Sequence, residues 1–214
     1  MDGLFLDSEP QWHEAETVMM RENGYDWKPE DQLHCLGGPL SRVAEYMSNC
    51  LQARKSPAQL EEMIISEMTE RLSKKVPLMP GALEISKAIH LSGTKQGLVS
   101  ASPRPIVDGV LRGMSEKYFD VTVGAGDIER TKPFPDPYLH AAKLLGVDIA
   151  QSLIFEDSPT GITAAVASGA FVVAVPHYVQ VQEQPRLKVI SSFEEITTVD
   201  LERWSEINQR ELGR

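Results

Sequence analysis

Apolar residues in the first part of the chain recur with a helical period. Pro10 to Asn23 reads as one helix, stopped by Gly24, and Leu40 to Ala53 as a second. Ser56-Pro57-Ala58-Gln59 is a strong helix start: the serine caps, the proline suits the first turn, and the glutamine occupies the capping-box position. Leu60, Ile64, Met68 and Leu72 then follow at every fourth position, on one helix face. No strand pattern occurs between residues 11 and 77.

Beyond Pro77-Leu78-Met79-Pro80-Gly81 the pattern alternates. A helix from Ala82 to Leu91 leads into a strand, Gln96 to Ala101. Ser102-Pro103 is expected to open the next helix. Phe119 to Val123 is a strand, and Asp136-Pro137 opens a helix that ends at Gly146. Ser152 to Phe155 is a strand, Ser158-Pro159 opens a helix that stops at Gly169, and Phe171 to Val175 and Lys188 to Ile190 are strands. Strands alternating with helices predict a parallel sheet covered on both faces. Leu201 to Arg214 reads as an exposed helix without chemistry.

The chain has 214 residues, 42% hydrophobic and 24% charged, which suits a globular core of moderate size with an insertion. Its net charge of −10 argues against nucleic acid or an anionic membrane as the main partner, but leaves room for one small phosphorylated metabolite. Cys35 and Cys50 have no paired spacing, so a reducing compartment is expected. The acidic N-terminus lacks signal-peptide regions, so the cytoplasm is expected. The apolar stretch from Ile162 to Val175 is broken by Ser168-Gly169 and too short to span a bilayer. A monomer is expected.

Ligands of open α/β sheets bind outside the carboxyl ends of the strands. The polar residues expected there are Asp2, Ser100, Ser102, Lys132, Glu156 and Asp157. Each has an ordinary explanation. A serine ending a strand is usually a turn or cap residue, and most lysines are solvated charges. The adjacent acids Glu156 and Asp157 are less ordinary, because they repel each other unless a cation is near. Carboxylates, hydroxyls, one ammonium and open helix N-termini at one rim suit a metal ion and a phosphate.

Their order carries a resemblance. Asp2-Gly3-Leu4-Phe5-Leu6-Asp7-Ser8-Glu9 resembles the first motif of the haloacid-dehalogenase-like (HAD) phosphatases, from its second aspartate onward. Gly97-Leu98-Val99-Ser100-Ala101-Ser102 resembles the second motif. Arg130-Thr131-Lys132-Pro133-Phe134-Pro135-Asp136-Pro137 resembles the third, with Thr131 in place of the usual glycine. Phe155-Glu156-Asp157-Ser158-Pro159-Thr160-Gly161-Ile162 resembles the fourth. The resemblance runs over nearly the whole chain. It implies a Rossmann-like parallel sheet core, residues 1–11 and 78–214, with an inserted α-helical cap domain, residues 12–77.

The resemblance also implies roles. A nucleophilic aspartate would stand immediately before Met1 and carry an aspartyl-phosphate. Asp2 would protonate the leaving alkoxide and then deprotonate the attacking water. Ser100 and the N–H of Ala101 would hold phosphate oxygens, and Lys132 would neutralise charge on nucleophile and phosphate. Asp157, Glu156 and the main-chain carbonyl of Asp2 would bind Mg²⁺, a hard cation that takes oxygen ligands. The five histidines lack metal-site spacing, which disfavours zinc.

Asp2 separates branches of the superfamily. Phosphate-ester hydrolases and phosphomutases carry an aspartate there, because an oxygen leaving group needs a proton. Asp7-Ser8-Glu9-Pro10-Gln11-Trp12 is similar to the corresponding run of bacterial sugar- and hexitol-phosphate phosphatases. β-Phosphoglucomutases carry a histidine where Trp12 falls, and His13 is one position off, so phosphatase is preferred over mutase. Trp12, Arg42, Ser102 and Arg104 are candidate substrate contacts, and Gly37-Gly38-Pro39 is a candidate loop near the substrate. The ordinary alternatives are core packing for Trp12, surface charge for the arginines and helix capping for Ser102.

Two classes of function remain. One is a phosphatase whose strand of roughly ten residues, with the nucleophile, precedes Met1; residues 1–214 alone are then expected to be inactive. The other is a non-catalytic protein that binds a phosphorylated ligand at the same rim. Against the second stands the cost of an interrupted sheet, about 1–3 kcal/mol for each buried unpaired backbone group.

Overall fold

In a computed structural model, the structure describes residues 1–36, 39–176 and 179–213. Four helices come first: α1 (Glu9–Glu22), α2 (Pro29–Cys35), α3 (Leu40–Cys50) and α4 (Pro57–Lys74). The α/β part follows as α5 (Ala82–Leu91), β1 (Gly97–Pro103), α6 (Arg104–Gly113), β2 (Val121–Ala125), α7 (Asp136–Leu145), β3 (Leu153–Glu156), α8 (Pro159–Ser168), β4 (Phe171–Ala174), β5 (Leu187–Val189) and α9 (Thr198–Glu211).

The capping box of α4 forms as its sequence requires. The Gln59 N–H donates to Ser56 Oγ (3.3 Å), and the Ser56 N–H donates to Gln59 Oε1 (3.0 Å). Leu60, Ile64, Met68 and Leu72 are all buried. Their stripe lies in the main core, which joins the four helices to the α/β part. Close contact with α6 depends on glycine: a Cβ at Gly109 would stand 2.8 Å from the Thr69 carbonyl oxygen.

One helix was not expected, and two local expectations need correction. Helix α2 has no serine or threonine start signal. The Lys28 N–H donates instead to the Asp31 carboxylate (2.8 Å) and Pro29 occupies the first turn, so a seven-residue helix forms on a cap three residues inside it. Helix α3 stops at Cys50 rather than Ala53, because Gln52 (φ 54°) and Ala53 (φ 57°) turn left-handed. Ser102-Pro103 does not open α6. The strand runs on through Pro103 and the helix begins at Arg104, leaving Ser102 at the strand's carboxyl end.

All strand pairs are parallel, but the sheet is in two pieces. β1 pairs with β2, while β3 pairs with β4 and β4 with β5. No strand among the described residues joins β1 to β3. Residues 1–7 sit near their carboxyl ends instead. The Gly3 N–H donates to the Leu6 carbonyl (2.9 Å), the Met79 N–H to the Phe5 carbonyl (3.0 Å) and the Asp7 N–H to the Pro77 carbonyl (2.8 Å). Met1, Phe5 and Leu6 are buried in the main core. Among the described residues, no helix is long and apolar enough to cross a membrane.

One buried group in α1 works against the fold. Glu16 is only 4% exposed, and its Oε2 has no hydrogen-bond partner among the described residues. Burial pushes its pKa from 4.5 up to about 7, although Gln32 partly offsets the shift. Between those values the folded state binds more protons than the unfolded chain, so this group's contribution to stability falls as pH rises. Glu16→Gln is therefore expected to add about 3 kcal/mol at pH 8 and almost nothing near pH 4. Thermal melts at the two pH values check this; an equal gain at both would remove the carboxylate as its cause.

Candidate active site

Asp2 is held by three hydroxyls. Ser8 Oγ donates to Oδ1 (2.9 Å), while Ser100 Oγ (3.1 Å) and Ser102 Oγ (2.8 Å) donate to Oδ2. The Ser102 N–H donates in turn to Ser100 Oγ (3.0 Å), which fixes that hydroxyl. The continuation of β1 to Pro103 places both serines beside Asp2. Ala101 between them is exposed. Asp157 packs on Gly3, whose positive φ (68°) and missing Cβ let the carboxylate lie against the backbone.

Lys132, Glu156 and Tyr138 form the second half of the site. The Lys132 ammonium and the Tyr138 hydroxyl both donate to Glu156 Oε1. The same ammonium lies 5.2 Å from the centre of the Tyr138 ring, within cation–π range. Glu156 Oε2 accepts from the Asp157 N–H (3.2 Å) and Ser158 Oγ (3.3 Å). Both oxygens of this buried carboxylate are engaged by protein groups, so Glu156 anchors Lys132.

The charges explain the titration behaviour. Burial alone would raise the Glu156 pKa, but Lys132 and the hydrogen bonds outweigh it and hold the pKa down. The Asp157 pKa is raised, first by burial and then by the charge of Glu156. Glu9, at the start of α1, is raised by burial and then by Asp2, Asp7 and Asp157. This acidic surplus beside Lys132 and the Met1 ammonium favours a cation. Among the described residues, no group of three or more acids, histidines or cysteines is assembled to hold a metal by itself. An ion completed by water and phosphate oxygens, as Mg²⁺ commonly is, fits such a partial donor set.

The other candidates divide. Trp12 is half-buried against the main core, and His13 is exposed. The Arg104 guanidinium is committed to Thr122 Oγ1 (2.7 Å), the Thr122 carbonyl (3.1 Å) and Asp127. The Arg42 guanidinium closes the end of α2, donating to the carbonyls of His34 (3.1 Å) and Leu36 (3.4 Å). Neither arginine is brought to Asp2. Gly37 and Gly38 of the candidate loop lie outside the described residues. Sequence patterns missed Ser8, inside a recognised motif, and Tyr138, which reads as a core residue two positions past a helix start.

Gly161 in the first turn of α8 keeps Glu156 in place, because a Cβ there would collide with its carboxylate. Gly161→Ala is expected to cost about 2 kcal/mol, or roughly 4–8 °C in Tm. An unchanged melt would show that Glu156 moves freely.

A parallel α/β sheet with serines, lysine and acids at its carboxyl ends, preceded by helices, is the frame of a phosphate-handling hydrolase. A profile of the haloacid dehalogenase-like hydrolases matches residues 1–175, and the chain belongs to that family. It is 32% identical over 209 residues to hexitol phosphatase B of Escherichia coli K12, covering 94% of this chain and 93% of that protein. It is 28% identical over 176 residues to the fructose-1-phosphate phosphatase YqaB of the same strain, covering 82% and 93%. The crystal structure of a putative β-phosphoglucomutase from Thermotoga maritima superimposes with a TM-score of 0.77 at 25% identity, covering 94% of this chain and 96% of that one.

Proposed function

We propose that the protein is a Mg²⁺-dependent phosphatase of small phosphorylated sugars or polyols, working through an aspartyl-phosphate. The observation that carries this is the convergence of Ser100 and Ser102 on Asp2, beside Lys132 anchored on Glu156. In this reading Asp2 is the general acid and base, its orientation set by three hydroxyls. Ser100 and the Ala101 N–H bind phosphate oxygens, and Lys132 offsets their charge. Asp157, with the main-chain oxygen of Asp2, would hold Mg²⁺, which when bound supplies charge neutralisation for the phosphoryl group. The four helices act as a cap that excludes water. The protein would act as a cytoplasmic monomer, without nucleic acid or membrane as partner.

The nucleophile in this reading is an aspartate on a strand just ahead of Met1, seated between β1 and β3. The break in the sheet supports it, since it leaves one edge of each strand without a partner among the described residues. Hexitol and fructose-1-phosphate phosphatases among the relatives favour hydrolysis. His13 stands one position past the place where β-phosphoglucomutases carry a histidine, which speaks against the mutase alternative.

The test is product analysis with the strand-extended chain, supplied with a hexitol 6-phosphate, fructose 1-phosphate or β-glucose 1-phosphate. Free phosphate that appears with Mg²⁺ and disappears with a chelator is expected. Glucose 6-phosphate in place of free phosphate would establish the mutase. No turnover of any substrate would leave the binding protein.

A further inference from the structure

We infer that Tyr138 is a positioning residue for Lys132: its hydroxyl and its ring together hold that ammonium where a phosphate oxygen would meet it. This rests on the phosphatase reading above, in which Lys132 neutralises the phosphoryl group. Tyr138 stands in the first turn of α7 and is 5% exposed, in the apolar cluster that includes Ile154, Ile162 and Val172. That cluster asks only for a ring, which phenylalanine would supply equally well. The hydroxyl serves a different partner. It donates to Glu156 Oε1, the same oxygen that receives the Lys132 ammonium.

The other donors to Glu156 described above are its own neighbours in the chain. The Asp157 N–H and Ser158 Oγ lie one and two residues on, so they move with the carboxylate. Tyr138 is 18 residues away on another helix, and it ties the carboxylate to the packed core. A carboxylate oxygen offers two lone pairs. With one taken by Tyr138, Oε1 meets the ammonium from a single direction. The ring restrains the same ammonium from a second side, with Nζ 5.2 Å from its centre. The Lys132 side chain is only 11% exposed, so these contacts rather than water set its place. Without the hydroxyl, Glu156 would be free to rotate and the ammonium would follow it. A misplacement of about 1 Å in a site of this kind can cost on the order of 10²-fold in turnover.

The test uses the 214-residue chain with Mg²⁺ and inorganic phosphate as the probe, measured by calorimetry well below the melting temperature. Tyr138→Phe keeps the ring and its packing, so it is expected to fold. It should weaken phosphate binding about fivefold to tenfold, because a hydrogen bond to a charged group is lost. Tyr138→Leu, which also removes the ring, should weaken it further. NMR of lysine-labelled protein shows whether the effect passes through Lys132. Its ε-methylene resonance, identified by its loss in Lys132→Arg, should move in Tyr138→Phe and should respond less to added phosphate than in the parent. A lower Tm with unchanged phosphate affinity in Tyr138→Phe makes Tyr138 a packing residue; it overturns the inference and leaves the phosphatase reading intact. Weaker binding with an unmoved Lys132 resonance also overturns it, since the effect then runs by another route. Absence of phosphate binding in the parent chain overturns both readings together.

Discussion

A chain with an apolar strand ending in aspartate immediately before Met1 is expected to hydrolyse a hexitol phosphate at least about 10⁴-fold faster than residues 1–214 alone. The gain has two physical sources. Residues two apart on an extended segment point to the same side, so an aspartate before Met1 would face the phosphate with Asp2. The nearby Ser100 and Lys132 would then hold and neutralise the phosphoryl group during attack. The added strand would also supply partners for β1 and β3, each buried unpaired group otherwise costing about 1–3 kcal/mol. An otherwise identical extension ending in asparagine separates the two sources. It should raise Tm as much as the aspartate version yet release no phosphate. Equal activity of the two would remove the aspartyl-phosphate from the mechanism, and an unchanged Tm would show that the extension does not enter the sheet.

The second large effect concerns Glu156. Glu156→Ala is expected to cost about 3–5 kcal/mol, because it leaves the Lys132 ammonium buried without its acid. Tyr138 loses its acceptor at the same time. Activity in the strand-extended chain should fall with it, since Lys132 would then be free to leave the position at which it would meet phosphate. Glu156 also predicts an acid limb. Its folded pKa is lowered below 4.5, so its contribution is complete above the unfolded value and lost as pH falls through the folded one. The sign is opposite to that at Glu16, whose burden grows as pH rises. Denaturant melts of parent and Glu156→Ala between pH 3 and 7 check this. The difference should shrink toward low pH, and a constant difference would show that the ion pair is not its source.

Much of this was legible before any coordinates. The four-residue spacing from Leu60 to Leu72 and the Ser56 box specified α4, because propensity, capping and amphipathic burial all act within a few turns. The helix starts at Asp136 and Ser158 and the left-handed stops at Gly146 and Gly169 were readable for the same reason. Ser102 was misplaced because Ser-Pro is a good helix start in isolation. Its hydroxyl instead meets Asp2, 100 residues away in the chain. Tyr138 carried no local sign, since a tyrosine near a helix start is ordinary until a buried carboxylate is known to lie against it.

The sequence by itself determined the order of the helices and strands other than α2, the parallel sheet and most of the polar residues at its carboxyl ends. Those features depend on backbone propensity, side-chain period and motif order, which neighbouring residues establish among themselves. Only the tertiary structure decided which charges meet. Arg42 and Arg104 look alike in sequence to any substrate-binding arginine, yet one closes a helix and the other is tied to β2 and Asp127. Glu156 and Asp157 are adjacent acids, yet one holds Lys132 and Tyr138 and the other lies against Gly3. Charged groups interact through space and burial, so their roles follow from distances that no local pattern contains.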